Sequence, residues 1–252
     1  MDRTIDPGRR SICAVIPIYD NLKTIRRVVE HVRRHLVDVI VVDDGSGEAT
    51  AEEVKRLAEE GLVTAVHRRR NGGKGAAVKD GLAKAHALGF THVFQVDADG
   101  QHDLGRLPEF LRASERDQGA LVLGYPEFVG EVPPSRLRGR AFTNLWVAWE
   151  VGSGVIRDAM IGYRVYPIER ALATCPRSDR MEFDIEIVVR MAWTGMPVIN
   201  IPVEVRYLNK AEGGFSSFRL FEDNVRISWM HARLATSALF RRIAGRVPAR
   251  SD

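Results

Sequence analysis

Short apolar runs rich in Val and Ile alternate along this chain with segments whose apolar residues recur every three or four positions. Residues 12–16, 37–42, 62–66, 92–96 and 120–123 read as strands. The segments between them read as helices: 24–36 places Ile25, Val28, Val29 and Val32 on one face, 50–60 follows the same spacing, and 74–88 gathers Ala76, Ala77, Leu82 and Ala85. Unbroken apolar strands separated by helices predict an α/β domain whose parallel sheet is covered on both faces. Ligands of such sheets bind beyond the carboxyl ends of the strands, so the residues after each strand are where chemistry is sought.

Those ends are polar. They read Pro17-Ile18-Tyr19-Asp20-Asn21, Asp43-Asp44-Gly45-Ser46, the stretch 67–74, and Asp97-Ala98-Asp99-Gly100-Gln101-His102-Asp103. No G-x-G-x-x-G follows the first strand, which argues against a dinucleotide-dependent oxidoreductase. The carboxylates of Asp43 and Asp44 suit either a ribose or base edge or, with Ser46 and Glu48, a helix cap. In Asn71-Gly72-Gly73-Lys74-Gly75 the glycines let backbone approach a ligand and Lys74 adds a cation. Asp97 and Asp99, two positions apart as a strand ends, point to the same side. Like charges held so close call for a cation, and hard oxygen donors beside a diphosphate suit Mg²⁺ or Mn²⁺. The other reading, caps and turn formers, fits a lone D-x-D better than one flanked by two further ligand-like turns.

Composition narrows the class. Of 252 residues 45% are hydrophobic, with 11 Pro, 22 Gly and no repeat, which excludes disorder and fibres. Cys13 lies in a strand and Cys175 precedes a proline, so a reducing compartment is expected rather than a disulfide framework. The first ten residues carry charge with no apolar stretch behind it, unlike a signal peptide. The longest apolar stretch, 144–156, is interrupted by Glu150 and too short to span a bilayer. The net charge of +4 is uneven: residues 205–252 hold nine Lys/Arg against four Asp/Glu, and the remainder 28 against 29. A basic segment on a near-neutral domain points to a membrane surface rather than nucleic acid.

The ordered motifs IPIYDN, VVDDGS, NGGKGAAVKDGL, QVDADGQHD, IGYRVYP, EFDIEIVVRMAWTGMPVINIPVEVRY and GGFSSFR cover the chain from about residue 11 to about 235. Together they resemble family 2 glycosyltransferases of GT-A architecture, in the dolichyl-phosphate mannosyltransferase-like branch. DADGQHD with IRDAMIGYRVYP and DNVRISWMHARL is further similar to glycosyltransferases of bacterial aryl polyene and related lipid clusters. The resemblance implies a GT-A sheet that binds a UDP- or GDP-sugar. Pro17, Tyr19, Asp44 and Lys74 would line the nucleotide pocket, with Asp97 and Asp99 on the Mg²⁺ or Mn²⁺ ion and Gln101 beside them. Arg164 and Arg219 would lie near the diphosphate or an anionic acceptor, and Ser216 and Ser217 in a loop that closes over the donor. His231 falls where many such enzymes place a histidine on the metal or diphosphate; a core histidine is the other reading.

Members acting on hydroxyls carry a general base on the first turn of a helix leading to an R-x-x-x-x-G segment. Arg190 and Gly195 set that register here and place Asp184 at the base position, with Phe183 replacing the usual preceding acid. Glu182, at the acceptor side, and Glu186 share the same helix start, and the other reading of all three is charge complementing the helix dipole. The Gly-Ser-Arg segment of the lipid-phosphate branch reads Gly124-Tyr125-Pro126. The expectation is therefore an inverting, metal-dependent hexosyl transfer to a hydroxyl of a lipidic or membrane-held acceptor. The alternatives are a lipid phosphate as acceptor or a non-catalytic basic lipid-binding module. A sugar-nucleotide pyrophosphorylase would need a Gly- and Arg-rich loop after the first strand. The expected organisation is a flexible 1–10, a catalytic domain 11–219 and a basic amphipathic helix and tail 220–252. In that tail Arg226, Arg233, Arg241, Arg242 and Arg246 alternate with Ile227, Trp229, Met230, Leu234, Leu239, Phe240 and Ile243 to meet anionic lipid on the cytoplasmic face of the inner membrane. Arg136, Arg138 and Arg140, among Leu137, Phe142, Trp146 and Trp149, suggest a second contact with the interface, unless the tryptophans pack in the core.

Overall fold

The computed structural model describes residues 10–130, 132–207 and 220–245, so the expectations for Ser216, Ser217, Arg219 and Arg246 lie outside the described residues. The first half is a β/α alternation of β1 (Ile12–Ile18), α1 (Leu22–Arg33), β2 (Val39–Asp43), α2 (Glu48–Glu59), β3 (Thr64–His67), α3 (Lys74–Ala87) and β4 (His92–Gln95). These four strands are mutually parallel. A 3-10 turn at Leu104–Arg106 leads into α4 (Leu107–Arg116), β5 (Leu121–Phe128), α5 (Pro134–Val151), β6 (Arg164–Pro167), α6 (Ile168–Ala173), α7 (Phe183–Ala192), β7 (Val198–Val205) and α8 (Leu220–Ile243). One seven-stranded sheet results, in the order β3-β2-β1-β4-β6-β5-β7. Only β6 runs against the others, antiparallel to both β4 and β5.

Strand burial explains the unbroken apolar runs. Cys13 and Val15 of β1 pack with Leu82 and Ala85 of α3 and with Phe183 and Ile187 of α7 on one face. Ala14 and Ile16 pack with Ile25 and Val28 of α1, Leu57 of α2 and Phe110 of α4 on the other. Both faces are dry, so every position in the strand is apolar.

Strand boundaries shift from their expected places, among them the start of β2, at Val39 instead of Val37, and the end of β1, at Ile18 instead of Ile16. Leu62, expected in a strand, closes α2 by donating its N–H to the Leu57 carbonyl at 2.9 Å, and β3 starts at Thr64. β5 continues past Leu123 to Phe128 because β7 pairs with it throughout. Beyond Gly124, whose N–H still reaches the Tyr163 carbonyl at 2.9 Å, it is paired on one side only among the described residues, where Pro126 is tolerated.

The C-terminal helix splits the apolar set expected to meet lipid. Ile227, Met230 and Leu234 of α8 are buried in the same cluster as Val147 of α5. Val225, Trp229, Leu239, Phe240 and Ile243 stay exposed. Among the described residues no helix is long and apolar enough to cross a membrane.

Candidate active site

The carboxyl ends of β1, β2 and β4 open into a crevice of about 1020 Å³. It sits where the strand order reverses between β1 and β4, the switch point at which α/β sheets bind ligands. Pro17, Tyr19, Asp44, Lys74, Asp97, Asp99, Gln101 and Asp184 all line it, so the sequence motifs converge on one place.

The nucleotide end is built from crossed turns. Asp20 adopts a left-handed conformation (φ 55°) and joins the ends of β1 and β2: its Oδ1 accepts from Gly47 N–H at 2.8 Å, and its N–H donates to Ser46 Oγ at 3.1 Å. Asp43 accepts from Ser46 N–H at 3.0 Å and shapes the turn. Asp44 is less available to a ligand than its position suggests. Its Oδ1 receives Arg68 at 2.5 Å and Gly72 N–H at 2.9 Å, and its Oδ2 receives Gly73 N–H at 2.7 Å. It orders the glycine loop as well as lining the crevice. Gly73 has a φ of 105°, and a Cβ there would run into the Asp179 carbonyl and the Arg180 side chain. The bend delivers Lys74 as the first residue of α3, whose N-terminus offers partial positive charge to an anion.

Lys74 is the electrostatic centre of the site. Its Nζ lies 2.6 Å from Asp97 Oδ1 and 2.7 Å from Asp184 Oδ2. Burial opposes the ammonium, but Asp184 and Asp97 more than reverse that, and its pKa lies above the ordinary lysine value. Burial likewise pushes the Asp97 carboxyl up, and Lys74 and His102 offset only part of the rise. For Asp184 the balance goes the other way. Burial would raise it, yet Lys74, Arg164 and the Gln95 amide hold it below the ordinary carboxylate range.

Behind Asp184 lies a buried polar chain. Gln95 Nε2 donates to Asp184 Oδ1 at 3.0 Å, and Tyr166 donates its hydroxyl to Gln95 Oε1 at 2.7 Å. Arg164 belongs to this layer, which corrects its expected place at the diphosphate. It is fully buried, pairs across the sheet with Gln95, donates to the Asp184 carbonyl at 2.7 Å and also bonds the Ile161 carbonyl. The residue of that motif that meets Asp97 is Gly162, where a Cβ would overlap both Asp97 carboxylate oxygens.

Two further expectations change. His231 is buried on α8 with Nδ1 2.9 Å from Glu150 Oε1 and its ring stacked on Trp146, so it packs α8 onto α5 and does not line the crevice. Glu182 is the buried N-cap residue of α7 and likewise does not line it, while Glu186 accepts from Ser178 N–H at 2.8 Å and from Arg190 at 2.7 Å.

The structure adds Arg136, Arg140, Arg180 and Tyr207 to the crevice. Arg140 pairs with Asp158, whose Oδ1 accepts from Met160 and Ile161 N–H at 2.9 and 3.0 Å and so shapes the approach to Gly162. Arg136 lies over the Tyr207 ring at 4.6 Å, and among the described residues no carboxylate pairs with it. The four-residue spacing of Arg136 and Arg140 places both on one helix face, a signal visible in the sequence once a helix is assigned.

The donor set fits a divalent cation. Asp97 lies buried against Lys74 with its carboxyl still pushed up by burial, and among the described residues Asp99 is engaged through Oδ1, by Gln101 N–H at 3.0 Å. No group of three or more His, Cys, Asp or Glu that could hold a metal occurs among the described residues. Two carboxylates suit an ion such as Mg²⁺ or Mn²⁺ that takes its other ligands from phosphate oxygens and water.

Comparison with known proteins gives the family and the likeness of fold. The family model described as Glycosyl transferase family 2 matches residues 13–171. The polyprenol monophosphomannose synthase of Mycolicibacterium smegmatis is 30% identical, over 79% of this chain and 78% of that protein. The UDP-N-acetylglucosamine–dolichyl-phosphate N-acetylglucosaminyltransferase of Methanococcus voltae is 26% identical, over 78% of this chain and 86% of that protein. Among solved structures, glucosyl-3-phosphoglycerate synthase from Mycobacterium tuberculosis in complex with Mn²⁺ and UDP-glucose superposes with a TM-score of 0.63 at 18% identity. The match covers 99% of this chain and 86% of that one, and establishes the likeness of fold.

Proposed function

Because this chain belongs to glycosyl transferase family 2, we propose that it transfers a hexose, with inversion, from a nucleotide-diphosphate sugar to the phosphate of a membrane-held lipid. The observation that carries the acceptor class is the state of Asp184. A hydroxyl acceptor needs a base, and the Asp184 carboxylate is buried and taken up by Lys74 Nζ at 2.7 Å and the Gln95 amide at 3.0 Å, which also hold it below its ordinary range and make it a weak one. A lipid phosphate is already anionic and needs none. Relatives named for polyprenol phosphate, dolichyl phosphate and undecaprenyl phosphate support the same acceptor.

The chemistry is one in-line displacement: an acceptor oxygen bonds to the anomeric carbon as the bond from that carbon to the diphosphate breaks. Tyr19 and the Asp44-ordered loop receive the nucleotide. Lys74, at the head of α3, faces the diphosphate. Asp97 and Asp99 hold Mg²⁺ or Mn²⁺, which when bound offsets charge on the leaving diphosphate. Arg136 and Arg180, cations at the crevice without carboxylate partners among the described residues, receive the acceptor phosphate. The protein works at a membrane surface, where its acceptor resides.

The test is to incubate the protein with UDP- and GDP-hexoses, Mn²⁺ and either a short-chain polyprenyl phosphate or the matching polyprenol, with products read by mass spectrometry. Glycosyl-phosphoryl lipid from the phosphate alone is expected; transfer to the polyprenol alone overturns the acceptor class. The polyprenol reading keeps one observation in its favour, the Gly124-Tyr125-Pro126 segment that lacks the branch's arginine.

A further inference from the structure

Two helices that border the crevice also carry a continuous exposed apolar surface. On α5, Arg138, Phe142, Leu145 and Trp149 follow one another at four, three and four positions, a single line along the helix. Phe142 and Leu145 are exposed at 51% and 70%. Gly139 and Thr143, roughly a third of a turn around the same helix, line the crevice. On α8, Val225, Trp229, Phe240 and Ile243 lie along the outer face, the last three at 67%, 67% and 75% exposure. Asn224 and Ile227 at the start of that helix line the crevice. The two lines meet where the Arg242 guanidinium covers the Trp149 ring at 4.5 Å.

An apolar area of this extent on a folded chain calls for an occupant. Its charge selects one. Arg241 and Arg242 bond to the backbone carbonyls of Trp193 and Trp149 rather than to acids, and Arg138 bonds to the Pro134 carbonyl. The acidic residues of α5 and α8 are Glu150, which is buried, and Glu222 and Asp223 in the first turn of α8. The apolar stripes are thus edged by arginines without carboxylate partners among the described residues. A second copy docking about a two-fold axis would set one arginine-edged patch against another and supply no acids to either. An anionic bilayer meets both the apolar rows and the cations.

We propose that the outer faces of α5 and α8 together form the surface by which this protein rests on an anionic bilayer, turning the crevice mouth toward the headgroups. The α5 row and the α8 row act as one seat, because Arg242 and Trp149 join them. This deepens the lipid-acceptor reading and rests on it for its purpose, but its test does not require turnover.

The experiment is flotation of the full chain with vesicles of phosphatidylcholine alone or with about 30% phosphatidylglycerol, beside the variants Leu145→Glu, Trp229→Glu and Phe240→Glu. Binding that grows with the anionic lipid, and that each variant weakens at least about tenfold with unchanged melting and unchanged Mn²⁺/UDP thermal shift, is expected. Binding that survives all three variants, or that ignores the anionic lipid, overturns the proposal. So does a dimer in light scattering that the same variants dissolve. Transfer to a short-chain polyprenyl phosphate in the absence of vesicles separates the two readings: its loss with flotation intact overturns the acceptor class, and its persistence with flotation absent overturns the membrane seat.

Discussion

Lys74 Nζ lies 2.6 Å from Asp97 Oδ1, so the carboxylate proposed to hold a divalent cation is already met by a cation of the chain. Unit charges about 4 Å apart interact by roughly 4 kcal/mol at an effective dielectric of about 20, so an incoming metal competes with the ammonium. In the proposed reading, donor diphosphate would relieve the competition by giving Lys74 a new partner. Lys74→Gln should therefore bind Mn²⁺ alone about tenfold more tightly than the parent and Mn²⁺ with UDP more weakly. Electron paramagnetic resonance titration of free Mn²⁺ reads both. Weaker binding of Mn²⁺ alone in the variant would show that Lys74 assists the metal instead.

Gly162 bounds the other side of Asp97, and a Cβ there would overlap both carboxylate oxygens. Gly162→Ala is expected to displace Asp97 and lower Mn²⁺ affinity in the presence of UDP by at least about tenfold, an overpacking cost of roughly 1–3 kcal/mol. Calorimetric titration measures it. Parental affinity in a folded variant would mean that the loop before β6 yields and the glycine is dispensable.

Asp184→Asn retains the shape of the side chain but removes the charge that faces Lys74 and Arg164. With a phosphate acceptor, turnover should fall about tenfold or less and the pH profile should keep its form. Loss of a general base would cost roughly 10²- to 10⁴-fold and remove a limb of the profile. Because breaking a buried ion pair costs about 3–5 kcal/mol, melting is followed alongside the kinetics.

Glu150 gives a pH prediction of definite sign. Burial raises its pKa above the ordinary value of 4.5, and the bond to His231 only partly offsets this. Above 4.5 the folded state thus holds a proton that the unfolded chain has released. The stability linked to that proton is complete below the unfolded value and is lost as pH rises through the folded one. Calorimetric melting should show the stability of the parent relative to Glu150→Gln falling from about pH 4.5 toward neutrality. A difference that stays flat or rises with pH refutes the assignment.

Much of the site was legible because strand ends in this fold declare themselves: an apolar run stops and charge begins. Asp97, Asp99, Lys74 and Asp184 were found that way or through motif register, and they meet in one crevice. Arg164 lies away from the place its motif implies because its neighbours in the chain carry no information about the direction of β6. In a reversed strand opposite Gln95 the long side chain turns beneath the site, and Gly162 is left to face Asp97. His231 was ambiguous since its partner Glu150 lies 81 positions away. Helix α8 has apolar residues on both faces, and periodicity cannot tell the face that Val147 covers from the one left outside.

The reversed direction of β6 has a further effect on how the molecule can change. β5 leaves the sheet at the crevice edge and β6 re-enters it at that edge, so 129–163 is an excursion that begins and ends on one rim. Its Arg136 and Arg140 look into the crevice, whereas β1, β2 and the head of α3 belong to another part of the chain. In the proposed reading, the groups offered to the acceptor and those offered to the donor are thereby written in separate stretches of sequence. Exchanging the excursion between relatives should then alter acceptor preference without rewriting the donor pocket, a modularity that follows from the reversed β6.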